Sequence, residues 1–239
     1  MAIPTYDNVT TDADSVGRAS ASFSHTVSGS NTCLIVFVHM FDINDPAPSV
    51  SGITYNSVAL SKIRSVVQIF SSTRRNRTEA WRLVAPADGA NTLAVTYSKT
   101  ITADVVTAVS FNAVDQTTPI AGSAQDKNTG GNPSVDITTT QTNSLITTGL
   151  TVKGGDTDPF TMTDGTERWD TATGTNANTD IGVTGGDRNA ASITTYTMAF
   201  TPKTTDNWTQ IAVELSEIQA APSGIASLRE LVGHGQGTR

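Results

Sequence analysis

The residues of this chain with chemistry to offer are few and scattered. His25 and His39 fall on apolar strand-like runs, and His234 lies in a glycine-rich end. No G-x-S-x-G elbow or H-E-x-x-H helix accompanies them, so the first two read as core imidazoles and not as general bases. Glu79 stands near Trp81 and Glu167 near Trp169. A carboxylate pair beside aromatics is what glycoside hydrolysis requires, but nothing in the spacing fixes their separation. They read as strand-edge glutamates next to core tryptophans. Asp42, Asp45, Asp156, Asp158 and Asp164 fall in loops and carry the oxygen ligands that Ca²⁺ prefers. None of them fits a D-x-[DN]-x-[DN]-G loop, and Asp is also a turn residue in its own right. No metal and no cofactor is therefore expected.

Arg74, Arg75 and Arg77 form the only basic cluster. It reads as a solvated loop or as a contact with an acidic partner subunit. Gly233, Gly235 and Gly237 precede no helix and so cannot form a nucleotide loop. Trp169 and Trp208 lie near loop ends and are the candidate glycan contacts, because sugars stack on exposed aromatic faces.

Composition narrows the field. The 239 residues carry 15 basic and 22 acidic side chains, a net charge of −7, which gives no field to attract nucleic acid. Charged residues are only 15% of the chain, and Thr, Ser, Asn and Gly take the polar positions. That suits many short strands joined by polar turns. A single cysteine, Cys33, excludes an intrachain disulfide and reads as a small core residue. The segment Met1–Asp7 has neither a basic n-region nor an apolar h-region, so a secretory signal is not expected. No apolar run reaches the ~20 residues of a membrane span. The expectation is a protein made in a cytoplasm, with the composition of an extracellular β-protein, as a virion component released by lysis would have.

Period-two alternation supplies the strands. Trp81 and Leu83 share a face in the run 77–84; Leu93, Val95 and Tyr97 share one in 92–97; Val105, Val109 and Phe111 share one in 105–111. Ala19–Val27 alternates Ala, Phe, His and Val with Ser and Thr. Thr32–Phe41 is apolar on both faces, which predicts a central strand covered on both sides. Asn56-Ser57 is a tight turn between Val50–Tyr55 and Val58–Leu60. Lys62–Phe70, Val135–Thr139, Ser144–Val152, Phe160–Trp169, Asp180–Val183, Ser192–Phe200 and Trp208–Ile218 complete the set. In the last of these Ile211, Val213 and Leu215 point inward, with Glu214 and Ser216 outward.

Two halves echo each other. Asn31-Thr32-Cys33-Leu34-Ile35 opens one and Asn143-Ser144-Leu145-Ile146 the other; Ala108–Phe111 closes one and Ala212–Leu215 the other. They are two sheets of one sandwich or two small abutting sandwiches. One sandwich is favoured, because the connection Ala121–Pro133 is too short and mixed for a clear linker. The expected class is an all-β, antiparallel jelly-roll-like β-sandwich with two similar strand groups and a short C-terminal helical tail. The expected organisation is an N-terminal arm over 1–18, the sandwich over 19–219 with pseudo-repeat halves 19–120 and 133–219, and a tail over 220–239. In that tail Ile225, Leu228, Leu231 and Val232 are spaced to share one side of a short helix, which would need a docking surface to be stable.

The runs Ser24–Val27, Ile53–Leu60, Glu79–Pro86, Asn91–Thr96 and Val109–Pro119 resemble a β-sandwich module of tailed-bacteriophage structural proteins and some bacterial surface proteins. The resemblance spans half to three-quarters of the chain, and the V-D-Q-T-T-P run is its most specific part. It implies core and turn roles for Tyr55, Trp81, Leu83, Pro86, Phe111 and Pro119, and it transfers no catalytic residue. What it implies is a non-enzymatic virion subunit: a capsid decoration, head fibre or tail-associated protein acting by adhesion and reinforcement. Its partners would be other virion proteins, a homo-oligomer and host glycans, with no direct nucleic acid and no membrane. The arm Met1–Thr10 and the four apolar tail residues are the expected subunit contacts. A carbohydrate-binding module is the alternative.

Overall fold

A computed structural model describes residues 2–43, 48–154, 160–174, 179–201 and 204–218. Among these the chain is all strand and turn, with no helix. The first half holds β1 (Thr5–Asp14), β2 (Ser20–Val27), β3 (Cys33–Asp42), β4 (Val50–Tyr55), β5 (Val58–Ala59), β6 (Ser61–Ile69), β7 (Arg75–Val84), β8 (Gly89–Tyr97) and β9 (Ala103–Asn112). The second holds β10 (Ile120–Gly131), β11 (Ser134–Thr138), β12 (Ser144–Lys153), β13 (Thr161–Met162), β14 (Thr166–Ala172), β15 (Ile181–Ala190), β16 (Thr195–Thr201) and β17 (Thr204–Leu215). The tail residues Ile225, Leu228, Leu231 and Val232 lie outside the described residues.

The strands form four antiparallel sheets. The first half contributes β1-β9-β3-β7-β6 and β2-β8-β4-β5; the second contributes β10-β17-β12-β15-β14 and β11-β16-β13. The two five-stranded sheets have one strand order, with β1 matching β10, β3 matching β12 and β9 matching β17. Registers agree as well, since Cys33 pairs with Phe111 in one and Leu145 with Leu215 in the other. Asn31 and Asn143, which precede the matching central strands, share a positive φ of 51° and 56°.

Each half thus has its own pair of layers, and the two five-stranded sheets face each other. Leu34, Val36, Val38 and Met40 of β3 point into the first sandwich, where they meet Tyr55, Trp81 and Leu93. Cys33, Ile35 and Phe37 point the other way, into a second core shared with Leu145, Trp169, Ile211, Val213 and Leu215. A third core, with Val135, Leu150, Phe200 and Trp208, fills the second sandwich. The result is four layers, not the two of a single sandwich. The predicted double-sided burial of β3 is present because sheets cover it front and back.

Polar groups are also built into this seam. Thr78 Oγ1 sits 2.6 Å from Thr151 Oγ1 and 2.7 Å from Thr209 Oγ1, and His39 Nδ1 lies 2.7 Å from Thr151 Oγ1. Arg64 donates to Ser123 Oγ and O at 2.9 Å each. Phe37 packs on Trp169 with ring centroids 5.8 Å apart. Gly149 is the residue equivalent to Phe37, four positions along the matching strand, and the two face each other. A Cβ on Gly149 would stand 2.9 Å from two Phe37 ring atoms, so the aromatic ring occupies the space that glycine leaves.

Two segments differ from expectation for one reason. Residues 5–14, expected as part of an arm, form β1 and pair with β9 from Thr5↔Asn112 to Asp14↔Asp104. Residues 120–131, expected as a connection, form β10 and pair with β17. Both are edge strands in matching positions. Their exposed sides are polar, so they lack the apolar alternation that marks the other strands. Phe160–Trp169 divides into β13 and β14 around Gly165, whose φ is 157°.

Candidate functional site

The residues singled out in the sequence do not converge. His25 is buried between Thr10 Oγ1 (3.0 Å) and Ser110 Oγ (3.3 Å), and burial lowers its pKa to about 4. His39 is wholly buried at the seam, its pKa lowered to about 3 by the same cause. Both imidazoles are buried and kept neutral by that burial. Glu79 is not at a strand edge: it is fully buried and engaged by Lys62 (2.8 Å), Arg77 (3.4 Å) and Trp81 Nε1 (3.1 Å). Glu167 is exposed, on a different sheet, and accepts from the Met162 amide.

Arg75 and Arg77 lie within β7 and not in a free loop. Arg75 is buried and donates to Ser72 O, while Arg77 donates to Ser65 Oγ. Asp42 is buried and accepts from Thr102 Oγ1, and Asp164 faces Arg188. Asp45, Asp156, Asp158 and His234 lie outside the described residues. Among the described residues no group of three or more His, Cys, Asp and Glu is arranged to hold a metal ion.

Both glycan-contact candidates are inside the protein. Trp169 is 5% exposed and lies across Gly185, where a Cβ would stand 2.0 Å from its ring. Trp208 is 2% exposed and donates from Nε1 to Gly130 O. Neither ring has a face free for a sugar. Both are seam or core residues because they belong to strands covered by a second layer, which alternation alone does not reveal.

A cleft opens instead at one end of the seam. Its volume is about 430 Å³, and Pro4, Thr5, Tyr6, Thr166, Arg168, Asp187, Arg188 and Asn189 line it with Leu145 and Gly165. Tyr6 comes from β1 of the first half; the charged groups come from β14 and β15 of the second. Arg168 grips Asp187 through Nε (2.5 Å) and Nη2 (3.2 Å), and its guanidinium lies 4.1 Å from the centre of the Tyr6 ring. Arg188 stacks 4.9 Å from the Tyr196 ring and reaches Asp164 at 3.4 Å. Burial raises the Tyr6 pKa, partly offset by Arg168, so its hydroxyl stays a donor.

Local sequence explains the arrangement. The β14–β15 register slips between Glu167 and Trp169, leaving Arg168 as the extra residue of a bulge. A bulge re-aims one side chain out of the strand's alternation. Trp169 then turns inward to the seam while Arg168 turns to the cleft. No strand pattern flags Arg168, Asp187 or Tyr6; the one visible signal is Arg168 wedged between Glu167 and Trp169.

Compared with protein-family models, with curated proteins and with solved structures, the chain matches none. The positions that carry the resemblance to the phage module have these places: Tyr55 is fully buried, with its hydroxyl 3.0 Å from His25 O and 3.1 Å from Gly89 O. Trp81 and Phe111 are core, and Pro86 and Pro119 are buried beside turns. In the V-D-Q-T-T-P run, Asp115 Oδ1 accepts from the amides of Thr117 (2.8 Å) and Thr118 (2.6 Å), which shapes the passage from β9 to β10.

Proposed function

We infer that the protein is a non-enzymatic structural subunit of a bacteriophage virion, attached to the capsid or tail and acting as a rigid adhesive block. One observation supports this most: the two sandwiches are joined along a face as fully buried as a domain core. Phe37, Ile35, Val109, Ile211 and Leu215 all have 0% exposure there. A seam of that kind resists bending between the halves and sets its outer surfaces at a fixed spacing. The resemblance to phage structural modules gives the biological setting, and an all-β chain without a disulfide fits it.

In this reading the subunit contacts lie in the segment 223–239, through Ile225, Leu228, Leu231 and Val232. β1 is taken up in its own sheet as an edge strand, so a contact through the N-terminal segment would be made by that edge and not by a free arm. Deleting Ser223–Arg239 removes no described strand. The truncated chain is expected to keep its circular dichroism and thermal transition while losing particle association or oligomerisation, measured by light scattering and co-sedimentation with particles. Unchanged assembly of the truncated chain contradicts the proposal.

A further inference from the structure

The two sandwiches meet about a pseudo-two-fold axis. Across the seam β3 faces its equivalent β12, β7 faces β17 as β15 faces β9, and β6 faces β10 as β14 faces β1. The matching registers equate Phe37 with Gly149 and His39 with Thr151. Each of these residues faces its own equivalent. A Cβ on Gly149 would stand 2.9 Å from the Phe37 ring, and His39 Nδ1 lies 2.7 Å from Thr151 Oγ1. The bulky pair stands on the first half and the small pair on the second. Away from the axis every contact has a counterpart on the other side, and the two differ in kind. Thr78 Oγ1 meets Thr209 Oγ1 at 2.7 Å, whereas their equivalents Val183 and Val105 lie in one apolar cluster. Arg64 donates to Ser123, whereas their equivalents Trp169 and Val9 belong to the shared core. The Arg168 guanidinium lies 4.1 Å from the Tyr6 ring, whereas their equivalents Ile63 and Ile120 line one recess of about 180 Å³.

We propose that the seam is selective: the inner face of each half takes the other half, from its own chain or from a second copy, and rejects its own kind. Two first halves placed about the same axis would set Phe37 against Phe37 and His39 against His39, where one ring now lies over a glycine. They would also set Thr78 against Val105, Arg64 against Val9 and Tyr6 against Ile63. Two second halves would leave a void between Gly149 and its copy. They would bury the Thr209 hydroxyl against Val183 and set Arg168 against Ile120. Overpacking, a void and a buried polar group without a partner are each destabilising, and a like pair repeats each off-axis mismatch on both sides of the axis. Selectivity of this kind comes as much from the misfit of the wrong pair as from the fit of the right one. It also accounts for the polar groups at the seam-end cleft, because Tyr6 and Arg168 match each other and neither matches the aliphatic residue of the opposite pair. In an assembly holding many copies of the chain, such faces keep equivalent halves of neighbouring chains from joining.

The inference concerns the isolated chain and does not depend on the virion reading. A protease site placed between the exposed Thr117 and Thr118 allows the folded full chain to be cut into its halves. The cut protein is unfolded in urea, refolded by dilution and weighed by native mass spectrometry. Complexes of one first half with one second half are expected to exceed like pairs by at least about tenfold, whereas random pairing would make like pairs about half of the complexes. A second measurement uses the intact chain. Thr78→Val and Thr209→Val are each expected to lower the folding constant, because each leaves a buried hydroxyl facing a methyl group. The double variant copies Val183 and Val105, and in urea unfolding its folding constant should exceed the additive expectation by at least about fivefold. Like pairs at their random share, no paired halves at all, or additive effects of the two substitutions overturn the proposal.

Discussion

Gly149→Ala is the sharpest probe of how the halves are joined. In a strand free of steric conflict, replacing glycine with alanine stabilises by about 0.4–1 kcal/mol, because the unfolded chain loses freedom. Here the new methyl would stand 2.9 Å from Cδ1 and Cγ of Phe37 and 3.1 Å from His39 Cε1, where ordinary contact begins at 3.4 Å. The Phe37 ring cannot simply retreat, because it is fully buried and packed between His39 (6.2 Å) and Trp169 (5.8 Å). Overpacking of this kind costs about 1–3 kcal/mol, so the sign reverses and the variant is destabilised. Phe37→Ala alone is expected to cost about 3–5 kcal/mol through the cavity it leaves. With Phe37 gone the Gly149→Ala methyl has room, so the double variant should be more stable than the sum of the singles by about 1–3 kcal/mol. Urea unfolding at constant m-value measures all four corners of the cycle. Additive effects, or a stabilising Gly149→Ala in the native background, refute the claim that these two residues meet at the centre of the seam.

Three further outcomes follow from buried groups. His25 and His39 have folded pKa values below the ordinary 6.5, at about 4 and about 3, so the unfolded chain binds more protons on acidification. Their contribution is therefore intact above pH 6.5 and is lost as pH falls. Asp170, raised to about 6 by burial and by Glu167, works in the opposite sense between 3.8 and 6. His39→Gln should thus make the fall in urea midpoint between pH 6 and 4 shallower by about tenfold in the folding constant per pH unit; a slope unaffected by the substitution counts against a neutral His39. Cys33 is fully buried with its thiol pushed up to about 12, so thiol reagents should label it only at the rate of global unfolding, and fast labelling of the native protein contradicts its placement. Glu214 is fully buried and accepts from the amides of Thr140 and Gln141 and from the hydroxyls of Thr140 and Ser144. Glu214→Gln replaces an acceptor with a donor among these donors and should cost about 2–3 kcal/mol in the same urea assay, whereas a neutral effect would remove the need for a buried carboxylate there.

The sequence carried the strands that have an apolar face and lost those that do not. Leu93, Val95 and Tyr97 are buried as their alternation predicts, and Asn56-Ser57 forms its turn with φ of 48° and 66°. β1 and β10 carry no such signal, because an edge strand can be polar on most of its length. Alternation places Glu214 and Ser216 outward, yet both are fully buried, because β17 and the residue that follows it have a layer on each side and charge does not exclude burial when donors surround it. The same four-layer stacking hides Trp169 and Trp208. The seam cleft was the least legible feature: it joins residues about 160 positions apart, and it depends on a one-residue slip in β14 that only the pairing reveals.

The claim on which the rest depends is that two sandwiches of one topology share a core and behave as one rigid unit. Differential scanning calorimetry of the full chain tests it most directly. A single transition with equal calorimetric and van't Hoff enthalpies is expected, because unfolding either half exposes the core around Phe37 and Trp169. Two resolved transitions, each with the enthalpy of half the chain, would contradict it.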